Sequence, residues 1–154
     1  MTGVRSLAFL LFLCVAALTA CAHVPPSGGL ATLKPAIETF HQRVRWKDFR
    51  GATELLVPER RAAFDKARTD QNDNRDLSIT DYQLEDVRLV DDGMRAIVVS
   101  RISWVRLPSV SEHPDLVTSE FVFQSGVWQL ARQDAGPFVP ELQAEYEWSP
   151  PDAG

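Results

Sequence analysis

Apolar positions change period midway along this chain. Between residues 32 and 68 they recur at the three-to-four spacing of a helix face, and from residue 82 to 132 they alternate as on a strand. Thr32 can cap a first helix whose Leu33, Ile37, Phe40 and Val44 form one stripe. Pro35 falls in its first turn, where an amide has no partner in any case. After a break at Trp46-Lys47-Asp48, a second short helix puts Phe49, Ala52, Leu55 and Leu56 on one face, weakened at Gly51 by about 1 kcal/mol relative to alanine. Pro58 suits the first turn of a third helix over residues 59–68, with Ala63, Phe64 and Ala67 directed inward. Residues 69–76 are all polar and turn-prone, which ends the helical half.

Beyond them Tyr82 and Leu84 share one phase of alternation and Val87 and Leu89 the other, so the first strand carries a bulge near Glu85-Asp86. Asp91-Asp92-Gly93 supplies a hairpin turn. The second strand, residues 95–107, has Ala96, Val98, Ile102 and Trp104 on one face and Ile97, Val99, Val105 and Leu107 on the other, which implies cover on both sides at residues 96–99. Arg101 interrupts the second face, and a cross-strand ion pair is its simplest account. Residues 108–115 read as a loop. A third strand over 116–124 aligns Val117, Phe121 and Phe123, and Ser125-Gly126 turns into a fourth over 127–132 with Trp128 and Leu130 inward. Prolines and a glycine thin out the pattern after Asp134, so a flexible tail is expected from residue 141, on which Tyr146 and Trp148 can still dock.

The start of the chain has a different logic. Arg5 precedes an apolar run over residues 7–18, too short for a spanning helix of about 20 residues. Cys21 follows directly on Leu18-Thr19-Ala20, and a thiol is the nucleophile that takes up a diacylglyceryl group. These four residues resemble the lipobox of bacterial lipoproteins. The resemblance implies a signal peptide over 1–20, Cys21 as the acylated (palmitate-type) first residue of the mature protein, and a Pro- and Gly-bearing tether over 21–31. The implied location is the bacterial cell envelope, on the periplasmic face of the outer membrane, with the membrane as partner through the lipid. Several acyl chains anchor stably where one does not.

Removing residues 1–20 from 154 leaves 134, enough for one domain with its own core, and the formal charge moves from −5 to −6 because Arg5 goes with them. An acidic balance argues against nucleic acid. With Cys14 in the signal and Cys21 acylated, the domain has no cysteine left for a disulfide. His23, His41 and His113 lie far apart without the spacing of a zinc site, no cofactor motif stands in the chain, and there is no Gly-x-Ser-x-Gly. His41, Tyr82, Glu85, Asp86 and Glu120 are the residues of acid–base type. Asp81, Glu85 and Asp86 read as a solvated strand face, and Arg43, Arg45, Lys47 and Arg50 as an exposed surface with snorkelling stems.

Three helices followed by an antiparallel meander of about four strands make an α+β domain, helices packed on one face of a curved sheet. Residues 36–40, Trp46-Lys47-Asp48-Phe49-Arg50-Gly51-Ala52, Leu55-Leu56-Val57-Pro58-Glu59 and Gly126-Val127-Trp128-Gln129-Leu130 resemble the nuclear-transport-factor-2-like superfamily, a cystatin-like cone, over residues 33–132. The domain is placed at residues 32–140, ahead of the tail over 141–154. The resemblance implies an opening between helices and sheet, lined by Phe40, Phe64, Tyr82, Trp104, Phe121, Phe123 and Trp128 if the cone is hollow; the plain reading makes the aromatics core. The superfamily holds isomerases and dehydratases as well as ligand binders and assembly domains, so the fold does not choose among them. No residue here matches a catalytic position of the superfamily. The expectation is therefore a lipid-anchored, non-catalytic binding or assembly module, pairing as a homodimer or with an envelope protein through the face of Ile97, Val99 and Val105. An isomerase- or dehydratase-type enzyme and a hydrophobic-ligand carrier are the alternatives.

Overall fold

The computed structural model describes residues 28–149; the expected signal peptide, Cys21 and most of the tether lie outside them. The elements run α1 (Leu30–Arg45), α2 (Phe49–Thr53), α3 (Pro58–Asp70), α4 (Asp73–Asp76), β1 (Leu77–Val90), β2 (Arg95–Arg106), β3 (His113–Gln124), β4 (Val127–Gln133) and α5 (Val139–Leu142). The strands form one antiparallel sheet in the order β1-β2-β3-β4. It is the α+β arrangement the periodicity calls for.

Helix α1 buries Leu33, Ile37, Phe40 and Val44, the expected stripe, and adds His41 to it. It begins a turn earlier than expected. Gly29 takes the capping position, while the Thr32 hydroxyl donates to the Gly29 carbonyl at 3.0 Å and accepts from the Trp128 indole at 3.1 Å. Asp48 caps α2 by accepting from the Gly51 amide at 3.0 Å. In α3 only Phe64 and Arg68, one turn apart, are buried; Ala63 faces solvent and Ala67 is half-buried, and the helix packs chiefly on α2, α4 and α5. The 69–76 segment continues α3 to Asp70 and then winds the single turn of α4.

The β1–β2 register shifts between Leu84 and Asp86, the expected bulge, and also between Ile79 and Asp81. Each extra residue bends the strand and sharpens its twist, which curls the sheet around the helices. The inward row of β2 is Ala96, Val98, Ser100 and Ile102, all buried, and the outward Ile97, Val99 and Val105 are half-buried. Strand β3 reaches back to His113 through ladder partners Ser103–Pro114 and Trp104–His113, so the expected loop over 108–115 is shorter by three residues. The free edge of β4 is covered by residues 55–57: the Val57 amide donates to the Leu130 carbonyl at 3.0 Å and the Leu130 amide to the Leu55 carbonyl at 2.8 Å. At the other edge, the bulges and the charges of Asp81, Glu85 and Asp86 oppose strand addition.

The segment placed in a tail from Glu141 is packed as far as Trp148. Phe138 and Leu142 are buried in the main core beside Phe40 and Phe64. The chain then crosses to the outer face of the sheet, where Tyr146 and Trp148 lie on Val57, Val122 and Ala131. Arg60 holds the crossing by donating to the carbonyls of Ala144 at 2.6 Å and Glu145 at 3.1 Å, and Arg132 donates to that of Gln143 at 3.1 Å. The proline and glycine content that suggested looseness only sets the turns of a segment whose apolar residues are spaced to serve two faces.

Candidate functional site

Two buried polar clusters stand inside the helix–sheet layer. The first joins α1, β1 and β2. His41 lies on the inward stripe of α1, 4% exposed, and its ring stacks on that of Tyr82 with centroids 3.7 Å apart and planes 19° off parallel. Phe40 meets the imidazole edge-on at 5.5 Å. Burial holds the imidazole in its neutral form, its pKa lowered to about 3. Burial also raises the Tyr82 phenol, with Glu38 adding to the rise and Ser100 opposing it. Ser100 Oγ faces the phenol without reaching hydrogen-bond geometry, so Nε2 of His41, the Tyr82 hydroxyl and the Ser100 hydroxyl are three buried polar atoms without a protein partner. Chemically, a neutral imidazole and two hydroxyls can bind a hydroxyl or carbonyl group. A base of pKa about 3 is a feeble proton acceptor near neutrality.

The second cluster joins α3, α4, β2 and α5. Arg68, 4% exposed, is paired with Asp73 at 3.0 Å and with Glu141. Asp73, fully buried, is also held by Arg106 at 3.1 Å, whose guanidinium donates to the Pro137 carbonyl at 3.3 Å. The Phe64 and Phe138 rings flank the Arg68 guanidinium at 4.7 and 4.6 Å. Two cations and two anions cancel. Burial lowers Arg68 to about 10 against the raising effect of Asp73, which leaves it charged at neutral pH. Sequence reading missed this cluster. Its signal was faint but present: Arg68 follows Phe64 by one helical turn, Arg106 follows Trp104 on the same strand face, and Glu141 follows Phe138 by three.

The aromatic positions singled out from sequence fall into separate groups. Phe40 and Phe64 contact Phe138, at 6.3 and 5.3 Å between centroids, and all three are buried with Phe121. Phe123 and Trp128 meet each other at 5.3 Å at the opposite end, over Gly28 and Thr32. Trp104 is half-buried, stacked on His113 at 4.5 Å, and its indole donates to Asp115 at 2.8 Å. Tyr82 stands with His41. Of the acids, Glu120 is paired with Arg95 at 2.7 Å, Glu85 with Arg101 across the strands at 3.1 Å, and Asp86 is exposed. Among the described residues no group of three His, Cys, Asp or Glu stands ready for a metal ion, and no helix is long and apolar enough to cross a membrane.

Solved structures give the fold its relatives. A SEC-C motif containing protein from Rhodopseudomonas palustris is similar at a TM-score of 0.53 and 19% identity, over 66% of this chain and 76% of that one. A domain of unknown function with a cystatin-like fold from Nostoc punctiforme is similar at 0.52 and 15%, over 68% and 76%. The fold is cystatin-like. A ketosteroid isomerase-like protein from Erwinia carotovora atroseptica is similar at 0.53 and 14%, over 68% of this chain and 92% of that one. Identities this low speak for the fold alone. No protein-family model matches the chain, and no curated protein matches it in sequence.

Proposed function

We propose that this chain is a lipid-anchored envelope protein whose cystatin-like domain is a non-catalytic binding or assembly module. The observation that carries the reading is Phe138. Its ring occupies the space between α1, α3 and the sheet, against Phe40, Phe64 and the Arg68 guanidinium, with Leu142 buried beside it. An enzyme working inside such a cone needs that space for its substrate. The acids are otherwise engaged, Glu120 by Arg95 and Glu85 by Arg101. The binding surface is then the outer face of β1 and β2, where Ile97, Val99 and Val105 are half-buried and which the described part of the C-terminal segment meets at its Arg95 end, under the Trp148 ring. Its charges alternate in sign, with Asp86, Arg88, Glu85 and Arg101 interleaved, so a second copy turned about a two-fold axis can meet it with opposite charges. Native mass spectra of the chain and of Val99→Glu test this: a dimer abolished by the substitution is expected, and an unchanged oligomer mass sinks the pairing. The anchor rests on Leu18-Thr19-Ala20-Cys21 alone, and intact mass tests it. A mature chain starting at acylated Cys21 supports it, and an unmodified chain starting elsewhere ends it.

A second reading draws on His41, Tyr82 and Ser100, whose unpartnered polar atoms suit a small carbonyl or hydroxyl ligand, as for a carrier or an isomerase-type enzyme. The same native spectra decide between the two. A retained small molecule, lost in Tyr82→Phe, favours the second.

A further inference from the structure

The corner between α1 and α2 concentrates positive charge on an acidic chain. Residues 43–50 hold Arg43, Arg45, Lys47 and Arg50 against one acid, Asp48, a formal +3 within a chain of −5. Trp46 stands among them 76% exposed, whereas Trp104, Trp128 and Trp148 are buried or half-buried. The bases divide into two kinds. Arg43 pairs with Asp48 at 2.5 Å, and Lys47 donates to the carbonyls of Asn74 at 3.1 Å and Arg75 at 3.4 Å. These two brace the turn that Lys47 makes at φ 62°. Arg45 and Arg50 are exposed and form no ion pair or hydrogen bond with any described residue.

A braced corner that presents to water an indole and, within five residues of it, two unpaired guanidiniums has the chemistry of a contact with a phospholipid headgroup layer. Tryptophan rings favour the headgroup level, and each basic side chain gains about fivefold in binding near an anionic surface. A nucleic acid of the same charge would meet the remaining −8 of the chain at close range, and a flat bilayer need touch only the corner. We infer that the α1–α2 corner docks on an anionic phospholipid surface, with Trp46 entering the headgroup layer and Arg45 and Arg50 meeting lipid phosphates. The inference does not depend on the reading of the sheet face as an assembly surface.

The test is tryptophan quenching of the full chain by brominated lipids, in vesicles of phosphatidylcholine alone and of phosphatidylcholine with phosphatidylglycerol. Comparison with Trp46→Phe isolates the share due to Trp46, and whatever the N-terminal segment does to attach the chain it does in both variants. Quenching that depends on Trp46, appears with the anionic vesicles, falls at least about tenfold in apparent affinity in Arg45→Glu/Arg50→Glu and weakens with salt is expected. Both arginines are exposed, and an unchanged far-UV circular dichroism spectrum verifies that the double variant is folded. The inference is overturned if Trp46 contributes no quenching, as it would for an acidic protein partner, or if its quenching is equal in the two vesicles and indifferent to the arginines.

Discussion

Replacing His41 by phenylalanine should remove about 2 kcal/mol of the stability that the domain loses between pH 7 and pH 5. In the folded chain burial lowers the imidazole to about 3, against an ordinary value of 6.5. Below pH 6.5 the unfolded chain takes up a proton at this position and the folded chain does not. The unfolded state therefore binds more protons, and stability falls as pH falls from 6.5 towards 3. At pH 5 the offset is about 1.5 pH units below the unfolded value, at about 1.4 kcal/mol per unit. Phenylalanine keeps a ring against Tyr82 and Phe40 and titrates nothing. Urea unfolding of both proteins, followed by circular dichroism at pH 7 and pH 5, gives the two differences directly, and carboxylates common to both cancel in the comparison. Parallel pH dependence in wild type and His41→Phe would refute the claim that the imidazole is buried neutral.

Phe138→Ala should cost about 3–5 kcal/mol in the same urea assay, the usual loss for a buried ring; a loss under about 1 kcal/mol would mean the ring is not packed between the helices and the sheet. Arg68→Met alone leaves Glu141 buried without its cation and should cost about 3–5 kcal/mol, while Arg68→Met with Glu141→Leu should cost less than the single change; strictly additive losses would show that the two do not act as a pair. Gly28→Ala drives a methyl into the Trp128 and Phe123 rings and should destabilise by about 1–3 kcal/mol with a shift in tryptophan emission, which an unperturbed spectrum would contradict. Trp148→Ala removes the ring near Arg95 and uncovers Val122 and Ala131, so limited proteolysis should trim the C-terminal segment faster than in wild type; equal rates would deny it that role.

Periodicity carried most of the fold. The stripe Leu33, Ile37, Phe40 and Val44, the break at Trp46-Lys47-Asp48, the bulge at Glu85 and the turn at Asp91-Asp92-Gly93 are local signals, and each stands where the pattern puts it. The misreadings come from contacts over long sequence distance. Thr32 looks like a cap until Trp128 supplies it with a different partner, 96 residues away. Arg68 looks like the solvated end of a helix, yet it meets Glu141 across 73 residues. His41 interrupts nothing in the pattern of α1, because polar residues flank the stripe anyway. Its burial is decided by Tyr82, on another element and in the phase of alternation that turns inward. Spacing puts Arg68 and Arg106 on inward faces, but it does not say which opposite charges meet them there, and that is why the Arg68 cluster was missed.

The placement of Phe138, Leu142 and Glu141 makes the order of synthesis matter. A ribosome that has reached residue 133 has already made every strand, but the space between α1, α3 and the sheet still lacks its filling and Arg68 its second carboxylate. Until residues 134–142 emerge, the nascent chain lacks the groups that close its interior. Translation itself thus holds the domain open beyond the last strand.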